Sequence, residues 1–166
     1  MERIAKFEKV SKFQFVTDYK PLFAGRGEPI WESIALPRRA TTGSAGYDFY
    51  APFDFELAPG QVITIPTGIR ARISDGWALF IFPRSGLGFK YRMQLNNTVG
   101  IIDSDYYNSS NEGHIMIKLT NDTVDGRTIR IKAGQGFAQG VFLPFGITED
   151  DDADGLRDGG FGSTTK

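Results

Sequence analysis

The sequence has no cysteine and only one histidine, His114, among its 166 residues. Without cysteine, a disulfide framework, a thiol nucleophile and a thiolate metal site are all excluded. A single histidine excludes a metal site built from a histidine cluster, and a Ser-His catalytic triad would have to use that one residue. The chain also lacks an apolar run near the roughly 20 residues of a membrane span, and no signal-peptide run follows Met1. We therefore expect a cytoplasmic protein.

An excess of charge of either sign is also missing, since the formal net charge is -1. Nucleic acids and acidic membranes bind strongly basic faces, so neither is expected as a direct partner. The length fits one domain with a substantial core. We expect that domain over residues 1–148, followed by a distinct C-terminal segment over residues 149–166.

Short apolar runs separated by turn residues dominate the chain. Twenty glycines and eight prolines divide segments that are rich in Val, Ile, Phe and Tyr. This pattern is typical of an all-β barrel or jelly roll. No window of helical length keeps a 3.6-residue period, and residues 86–91 are expected to form a short turn at most. The predicted strands are 47–55, 62–65, 69–73, 77–82, 98–102, 114–119, 128–131 and 137–143.

The two ends of the chain follow other patterns. Residues 149–154 hold five acidic residues in six positions, a composition typical of a solvated, mobile linker. That linker would tether residues 157–166 as an arm. Residues 1–35 contain spaced aromatic residues that we expect to add a strand or to cover a sheet edge. These residues are Phe7, Phe13, Phe15, Phe23 and Trp31.

An acidic residue, Asp103, ends the apolar run Val99-Gly100-Ile101-Ile102. A carboxyl group held among apolar neighbours can have a raised pKa and accept a proton near neutral pH. Taken alone, however, Asp103-Ser104-Asp105 is more simply interpreted as a turn. Other segments of the chain are needed to distinguish a catalytic role of Asp103 from a turn.

Two separate segments have the composition of anion sites. In Pro83-Arg84-Ser85-Gly86 the arginine offers a forked cation, the serine a hydroxyl and the glycine a close approach to backbone N–H groups. The tail repeats this set with Arg157, Gly162, Ser163 and Thr164, and it adds an aromatic ring, Phe161, that can cover a flat base. Each segment alone is also compatible with a turn or a flexible tail. No Walker motif and no dinucleotide-binding GxGxxG motif is present.

Five segments in order resemble the five motifs of the trimeric dUTPase family, whose enzymes split dUTP into dUMP and pyrophosphate. Together they span residues 45 to 166. The segments are Ala45-Gly46-Tyr47-Asp48, Pro83-Arg84-Ser85-Gly86-Leu87, Gly100-Ile101-Ile102-Asp103-Ser104-Asp105-Tyr106, Gly134 to Gln139, and Gly159-Gly160-Phe161-Gly162-Ser163-Thr164.

The resemblance implies a distorted jelly-roll subunit with a mobile C-terminal arm, a homotrimer, and active sites at the subunit interfaces. It implies that Asp103 orients and deprotonates the water that attacks the α-phosphorus. Tyr106 would stack under the deoxyribose and exclude a 2′-hydroxyl. Asn97 would bind uracil together with backbone groups of the same hairpin, which would be too tight for the methyl group of thymine.

The remaining implied roles concern the triphosphate. Arg84, Ser85 and Gly86 would hold the phosphates, Gln139 would assist at the phosphate or the attacking water, and Asp48 would reach Mg²⁺ through metal-bound waters. On the arm, Phe161 would cover uracil, while Arg157, Gly162, Ser163 and Thr164 would bind the end of the triphosphate.

This chain departs from the family pattern at two places. The family usually has Tyr-x-Gly soon after the third-motif aspartate, whereas here Gly113 comes seven positions after Tyr106. We expect the insert, residues 107–112, to lengthen a hairpin tip. Arg157 lies four residues before Phe161, one closer than the commonest spacing.

Two other functions remain open at this point. A dCTP deaminase shares the family fold but usually uses a glutamate at the pyrimidine amino group, where this chain has Asp103. A regulatory protein would keep the nucleotide pocket and use it to switch a protein partner, with residues 1–35 and the insert as the docking surface.

Overall fold

The computed structural model describes residues 2–20 and 27–155. Phe23 and the five predicted arm residues Arg157, Phe161, Gly162, Ser163 and Thr164 lie outside these ranges. The strands are β1 (Ala5–Lys9), β2 (Arg38–Arg39), β3 (Tyr47–Tyr50), β4 (Phe55–Leu57), β5 (Val62–Pro66), β6 (Ile69–Ile73), β7 (Trp77–Pro83), β8 (Met93–Leu95), β9 (Gly100–Ile102), β10 (Met116–Asn121), β11 (Ile129–Ile131) and β12 (Gly136–Pro144). The helices are α1 (Lys12–Tyr19), α2 (Gly27–Ser33), α3 (Ser85–Tyr91) and a 3-10 helix at Ser104–Asn108.

The fold is all-β and jelly-roll-like, as expected from the sequence. A five-stranded sheet has the order β2-β3-β12-β7-β9, and β5-β10-β8, β11-β4 and β1-β6 form three smaller sheets. All pairings in these sheets are antiparallel. Each predicted strand segment overlaps an observed strand, and residues 47–55 cover β3 and the first residue of β4, with a break between the two strands.

The core forms where the strands alternate between apolar and polar side chains. On β3 the side chain of Phe49 is buried, whereas its neighbours Asp48 and Tyr50 are only partly buried. Phe49 packs edge-on against Phe7 of β1, so the N-terminal strand covers part of this core. The period-2 pattern of β3 therefore points Phe49 inward and leaves Asp48 on the other face of the five-stranded sheet.

The N-terminal segment adds a strand, as expected, but also two helices that were not predicted. β1 pairs with β6 along its whole length. Helix α1 begins at the N-cap Ser11, whose side chain accepts a hydrogen bond from the Gln14 backbone, and it buries Phe15 and Tyr19 one turn apart. The expectation of no helix here was wrong because eight residues are too few to establish a clear helical period.

Helix α3 was also missed, since residues 86–91 were expected to form a short turn at most. Two glycines, Gly86 and Gly88, lower its helix propensity by about 1 kcal/mol each. Leu87 and Tyr91, four residues apart, pack against the core. Tertiary packing of this face thus overrides the weak local preference. Within the described ranges, no helix is long and apolar enough to cross a membrane.

Candidate active site

Three of the predicted site residues come together across the five-stranded sheet. In the strand register, Gln139 of β12 lies opposite Asp48 of β3 on one side and opposite Phe82 of β7 on the other. Arg84 follows the end of β7, and its Nε lies 3.1 Å from Asp48 Oδ1. The Gln139 amide donates to the Pro83 carbonyl at 3.1 Å. We call Asp48, Arg84 and Gln139 the Asp48 cluster.

Glycines of the first and fourth motifs make room for this cluster. A Cβ atom at Gly136 would lie 2.8 Å from Arg84 Nη1, and one at Gly46 would lie 2.6 Å from Gln139 Oε1. Real Cβ contacts are essentially never that short, so a larger residue at either position would displace the polar side chain beside it. These two motif glycines therefore position Arg84 and Gln139 rather than merely allowing a turn.

Ser85 and Gly86 are the first residues of α3, directly after Arg84. Both are exposed. The first N–H groups of a helix have no partner within that helix, and the partial positive charge at this end favours anions. The predicted anion-binding segment thus presents a guanidinium, a hydroxyl and backbone N–H groups next to the Asp48 cluster.

The catalytic candidate Asp103 lies elsewhere on the same sheet. It follows β9 directly and is the N-cap residue of the 3-10 helix at Ser104–Asn108. Its carbonyl accepts a hydrogen bond from the Tyr106 backbone at 3.2 Å. Tyr106 is only 2% exposed, and its hydroxyl donates to the carbonyl of His114 at 2.9 Å. Asp103 therefore stands at the start of a short 3-10 turn that contains the buried Tyr106.

A mostly apolar cavity of about 280 Å³ runs beside β9. Asn97 lies in the turn between β8 and β9, next to an isolated antiparallel bridge between Leu95 and Thr98, and it lines this cavity together with Gly100 and Ile102. The opposite wall comes from the start of β10 and the residues before it, including Ile115 and Met116. The cavity thus lies beside the β8–β9 turn, the segment where the sequence predicted base recognition, and Asp103 comes immediately after its wall residue Ile102.

The Asp48 cluster and Asp103 lie at opposite ends of strand β7. Leu79 near its start pairs with Ile102, the residue before Asp103, whereas Arg84 follows its end. Asp103 therefore lies level with Ala78, six residues before Arg84. At about 3.3 Å per residue, this separation along the strand is about 20 Å. One chain does not bring these two groups to the same phosphate.

The Asp48 cluster alone offers too few oxygen ligands to hold Mg²⁺, so the substrate phosphates would have to supply further ligands. Among the described residues, no group of three or more His, Asp and Glu side chains is able to enclose a metal ion. Asp48 offers one partly buried carboxylate, with its Oδ1 facing Arg84. Mg²⁺ keeps several of its waters and commonly binds through one or two carboxylates plus substrate phosphates, so a single carboxylate is compatible with that mode of binding.

The insert does not lengthen a hairpin tip, and that expectation was wrong. Residues 104–108 form the 3-10 helix, and the chain then turns back so that Gly113 reaches the backbone of the third motif. Gly113 has φ +67°, and a Cβ there would lie 2.7 Å from the Tyr106 carbonyl oxygen and 2.8 Å from Tyr107 Cα. The insert thus continues the 3-10 helix for two residues and then closes back on the backbone of Tyr106.

Sequence reasoning also missed a polar pair formed by the buried His114 and the partly buried Asp18. His114 Nδ1 lies 2.6 Å from Asp18 Oδ2 on α1, and the histidine side chain is fully buried. The available signal was the helix start Ser11-x-x-Gln14, which would have placed Asp18 on α1. Nothing in the sequence linked α1 to His114, which is 96 residues away.

Comparison with known proteins agrees with this arrangement. A family model described as dUTPase matches residues 32–165. The deoxyuridine 5′-triphosphate nucleotidohydrolase of Lactococcus lactis is 40% identical over 159 residues, covering 94% of this chain and 98% of that protein. The crystal structure of the dUTPase from Streptococcus mutans is 36% identical, with a TM-score of 0.63 over 86% of this chain and 98% of that one. A mutant dUTPase from phage phi11 of S. aureus, described with a structural Mg(II) ion, shares the fold at 19% identity and a TM-score of 0.64, covering 92% and 98%. These similarities confirm the resemblance noted in the sequence, and the chain belongs to the dUTPase family.

Proposed function

We propose that this protein is a homotrimer that hydrolyses dUTP to dUMP and pyrophosphate, with Mg²⁺ bound to the substrate, in active sites shared between subunits. The observation that carries the proposal is the position of the two groups of site residues at opposite ends of β7. Such a hydrolase would keep uracil out of DNA and supply dUMP for thymidylate synthesis.

The base and the attacked phosphorus of the substrate bind next to β9. A pyrimidine in the cavity beside Asn97 points the sugar and α-phosphate along β9 toward Asp103. The phosphates of that nucleotide then lie far from Arg84 of the same chain, since Arg84 is about 20 Å away along β7. A second subunit that offers its own Asp48 cluster, with Ser85 and Gly86, completes the site. A closed cyclic trimer repeats this contact three times.

In the proposed reaction, the Asp103 carboxylate accepts a proton from the attacking water while the oxygen of that water bonds to the α-phosphorus. The bond from the α-phosphorus to the bridging oxygen breaks, and pyrophosphate leaves with that electron pair. Phosphoryl transfer depends on positioning and charge neutralisation, which Arg84 and the N–H groups of Ser85 and Gly86 supply. Gln139, within the Asp48 cluster, orients the phosphate or the water.

Mg²⁺, when bound, would neutralise charge on the phosphates and order them. Asp48 would hold it through metal-bound waters. Tyr106 of the third motif forms the floor under the deoxyribose. Because the His114 carbonyl holds its hydroxyl, the tyrosine has little freedom to move aside for a ribose 2′-hydroxyl.

The C-terminal arm completes the proposal. Residues 149–155 are exposed, as a solvated linker requires. We assign residues 1–148 to the domain and residues 149–166 to the linker and arm that close over the site. Phe161 would cover uracil, while Arg157, Gly162, Ser163 and Thr164 would bind the γ-phosphate. Closure over the bound triphosphate would exclude bulk water from the site during the reaction.

Mixed trimers test the shared site directly. Asp103→Asn and Arg84→Ala each inactivate a homotrimer, since every site then lacks one group. If the two variants are co-refolded at equal amounts, a site is intact when an Arg84→Ala chain supplies Asp103 and an Asp103→Asn neighbour supplies Arg84. Random assembly leaves about one quarter of the sites intact, so about one quarter of wild-type turnover should return. Turnover that stays at the level of the two homotrimers contradicts a shared site.

The substrate is tested with the wild-type trimer. Release of pyrophosphate from dUTP is expected to exceed release from dTTP, UTP and dCTP, because the cavity beside Asn97 binds uracil and Tyr106 excludes a ribose. No deoxyuridine nucleotide should form from dCTP, because Asp103 stands where a deaminase usually has a glutamate. Deamination of dCTP without dUTP hydrolysis would overturn the proposal.

A further inference from the structure

Residues 107–114, which comprise the insert, Gly113 and His114, are bonded to the N-terminal segment at three points. The Glu112 carboxylate accepts hydrogen bonds from the Ser11 backbone N–H and from the Ser11 hydroxyl, both at 2.6 Å. Asp18, in the last turn of α1, bonds to His114. The Tyr107 hydroxyl donates to Glu8 of β1. Both ends of α1 are therefore attached to the segment that follows the third motif.

The tautomer of His114 follows from its partners. The Gly68 backbone N–H donates to His114 Nε2 at 2.7 Å, so this nitrogen carries no proton. The proton lies on Nδ1 and is donated to Asp18. Asp18 is also bonded by the Gln14 amide at 2.8 Å, which fixes the carboxylate from a second direction. An imidazole that is fully buried and bonded at both nitrogens has one orientation.

His114 in turn supports the candidate active site through its backbone. Its carbonyl accepts the Tyr106 hydroxyl at 2.9 Å, and Tyr106 donates its backbone N–H to Asp103. The next residue, Ile115, lines the cavity and donates its backbone N–H to the Ile69 carbonyl at 2.9 Å. His114 therefore contacts the proposed sugar floor, Tyr106, through its own carbonyl. It also directly precedes Ile115, a residue of the wall of the base cavity.

The charges on both carboxylates agree with these contacts. Partial burial raises the pKa of Asp18, but the hydrogen bonds from His114 and Gln14 outweigh it and leave the pKa below its ordinary value. Burial likewise raises the pKa of Glu112, but the two hydrogen bonds from Ser11, together with nearby positive charge from Arg70, leave that pKa below its ordinary value. Both carboxylates are ionised near neutral pH and act as full hydrogen-bond acceptors.

We propose that α1 is a positioning element of the active site, acting through Asp18 on His114 and through Ser11 on Glu112. This inference rests on the proposed function, because it concerns the placement of Asp103 and Tyr106. A plain structural role predicts that loss of these bonds lowers stability only. A positioning role predicts that it also lowers kcat at temperatures where the protein remains folded.

The test compares Asp18→Ala with Asp18→Asn and uses Asp54→Ala as the matched control. Asparagine keeps an oxygen that accepts the Nδ1 proton of His114, whereas alanine does not. Asp54 is likewise a carboxylate with two partners, the Ala133 backbone N–H at 2.8 Å and Lys132 Nζ at 2.7 Å, and neither partner belongs to the insert or to α1. Glu112→Ala removes the second attachment at a partly exposed position and serves if Asp18→Ala does not fold.

For Asp18→Ala and Glu112→Ala we expect kcat for dUTP to fall roughly ten- to hundredfold, the scale of a displacement near 1 Å at a reacting group. Asp18→Asn should retain most of the activity, and Asp54→Ala should behave as wild type. Values of kcat for Asp18→Ala and Glu112→Ala within about twofold of Asp54→Ala, at equal folded fraction, would overturn the positioning role.

A spectroscopic readout separates this inference from the proposed function. The chain has one histidine, so its imidazole nitrogens give one set of NMR signals. Wild type should show the Nδ1-protonated tautomer with a strongly deshielded Nδ1 proton, which Asp18→Asn should largely keep. Asp18→Ala should keep the tautomer, because Gly68 still donates to Nε2, but should lose the deshielding of the Nδ1 proton that the bond to Asp18 causes. If the wild-type protein does not hydrolyse dUTP, the proposed function fails, while the Nδ1 proton signal still tests the link between Asp18 and His114. A wild-type signal from the Nε2-protonated form would contradict that link.

Discussion

The close approach of Gly113 to the third motif provides the sharpest test of the folded geometry. Gly113→Ala places a methyl group 2.7 Å from the Tyr106 carbonyl oxygen and 2.8 Å from Tyr107 Cα, at a φ of +67°. Both neighbours are backbone atoms of the 3-10 helix, so neither moves aside as a flexible side chain would. The substitution must shift the turn that follows Asp103 or unwind part of the insert.

The loss of folding stability expected for Gly113→Ala has two contributions. The left-handed backbone conformation costs an alanine about 1 to 2 kcal/mol. The forced contact adds about 1 to 3 kcal/mol, the usual cost of overpacking. Gly126→Ala is the matched control, because Gly126 has φ +77° and no atom within 4 Å of the added Cβ. The control therefore carries the first contribution without the second.

Denaturant unfolding of both variants at the same protein concentration measures the difference, since the stability of an oligomer depends on concentration. We expect Gly113→Ala to be less stable than Gly126→Ala by about 1 to 3 kcal/mol. We also expect Gly113→Ala to have a lower kcat while Gly126→Ala keeps that of wild type. Equal free energies of unfolding for the two variants would show that the insert does not close on Tyr106.

Three further predictions concern charge, catalysis and the arm. Hydrogen bonds from Lys6 and Tyr107 outweigh burial and lower the pKa of Glu8 from 4.5 to about 2, so its contribution to stability is complete above pH 4.5 and is lost as the pH falls toward 2. The stability difference between wild type and Glu8→Gln, measured by denaturant unfolding, should therefore shrink over that pH range, and a constant difference would contradict the contact. Asp103→Asn should abolish turnover but keep the affinity for a non-hydrolysable dUTP analogue measured by calorimetry, and near-normal turnover would remove Asp103 from its role. Deletion of residues 157–166 should strongly reduce hydrolysis but leave the trimer intact in sedimentation, and full activity after deletion would refute the arm.

The strands were predictable because their physical signals are local. Residues 69–73 and 77–82 alternate or are uniformly apolar between turn residues, and they form β6 and β7 almost as predicted. The start of α1 also had a local signal, the N-cap pair Ser11 and Gln14, which the search for a helical period over a longer window did not detect.

The placement of the insert depends on contacts that are distant in sequence. Glu112 bonds to Ser11 across 101 residues, and His114 bonds to Asp18 across 96. An Asn/Ser-rich composition predicted a loop, and only the fold shows where that loop binds. In the site, the motifs predicted the residues as one group, but only the strand register shows that Asp103 and Arg84 lie at opposite ends of β7.

That separation along β7 has a genetic consequence. In a trimer whose sites each take Asp103 from one chain and Arg84 from the next, every chain contributes to two sites. A subunit that lacks both residues but still assembles disables two of the three sites in any trimer it enters. Such an allele would be dominant-negative when expressed with the wild-type gene, whereas an enzyme with a complete site in each chain would lose only the activity of the mutant copy.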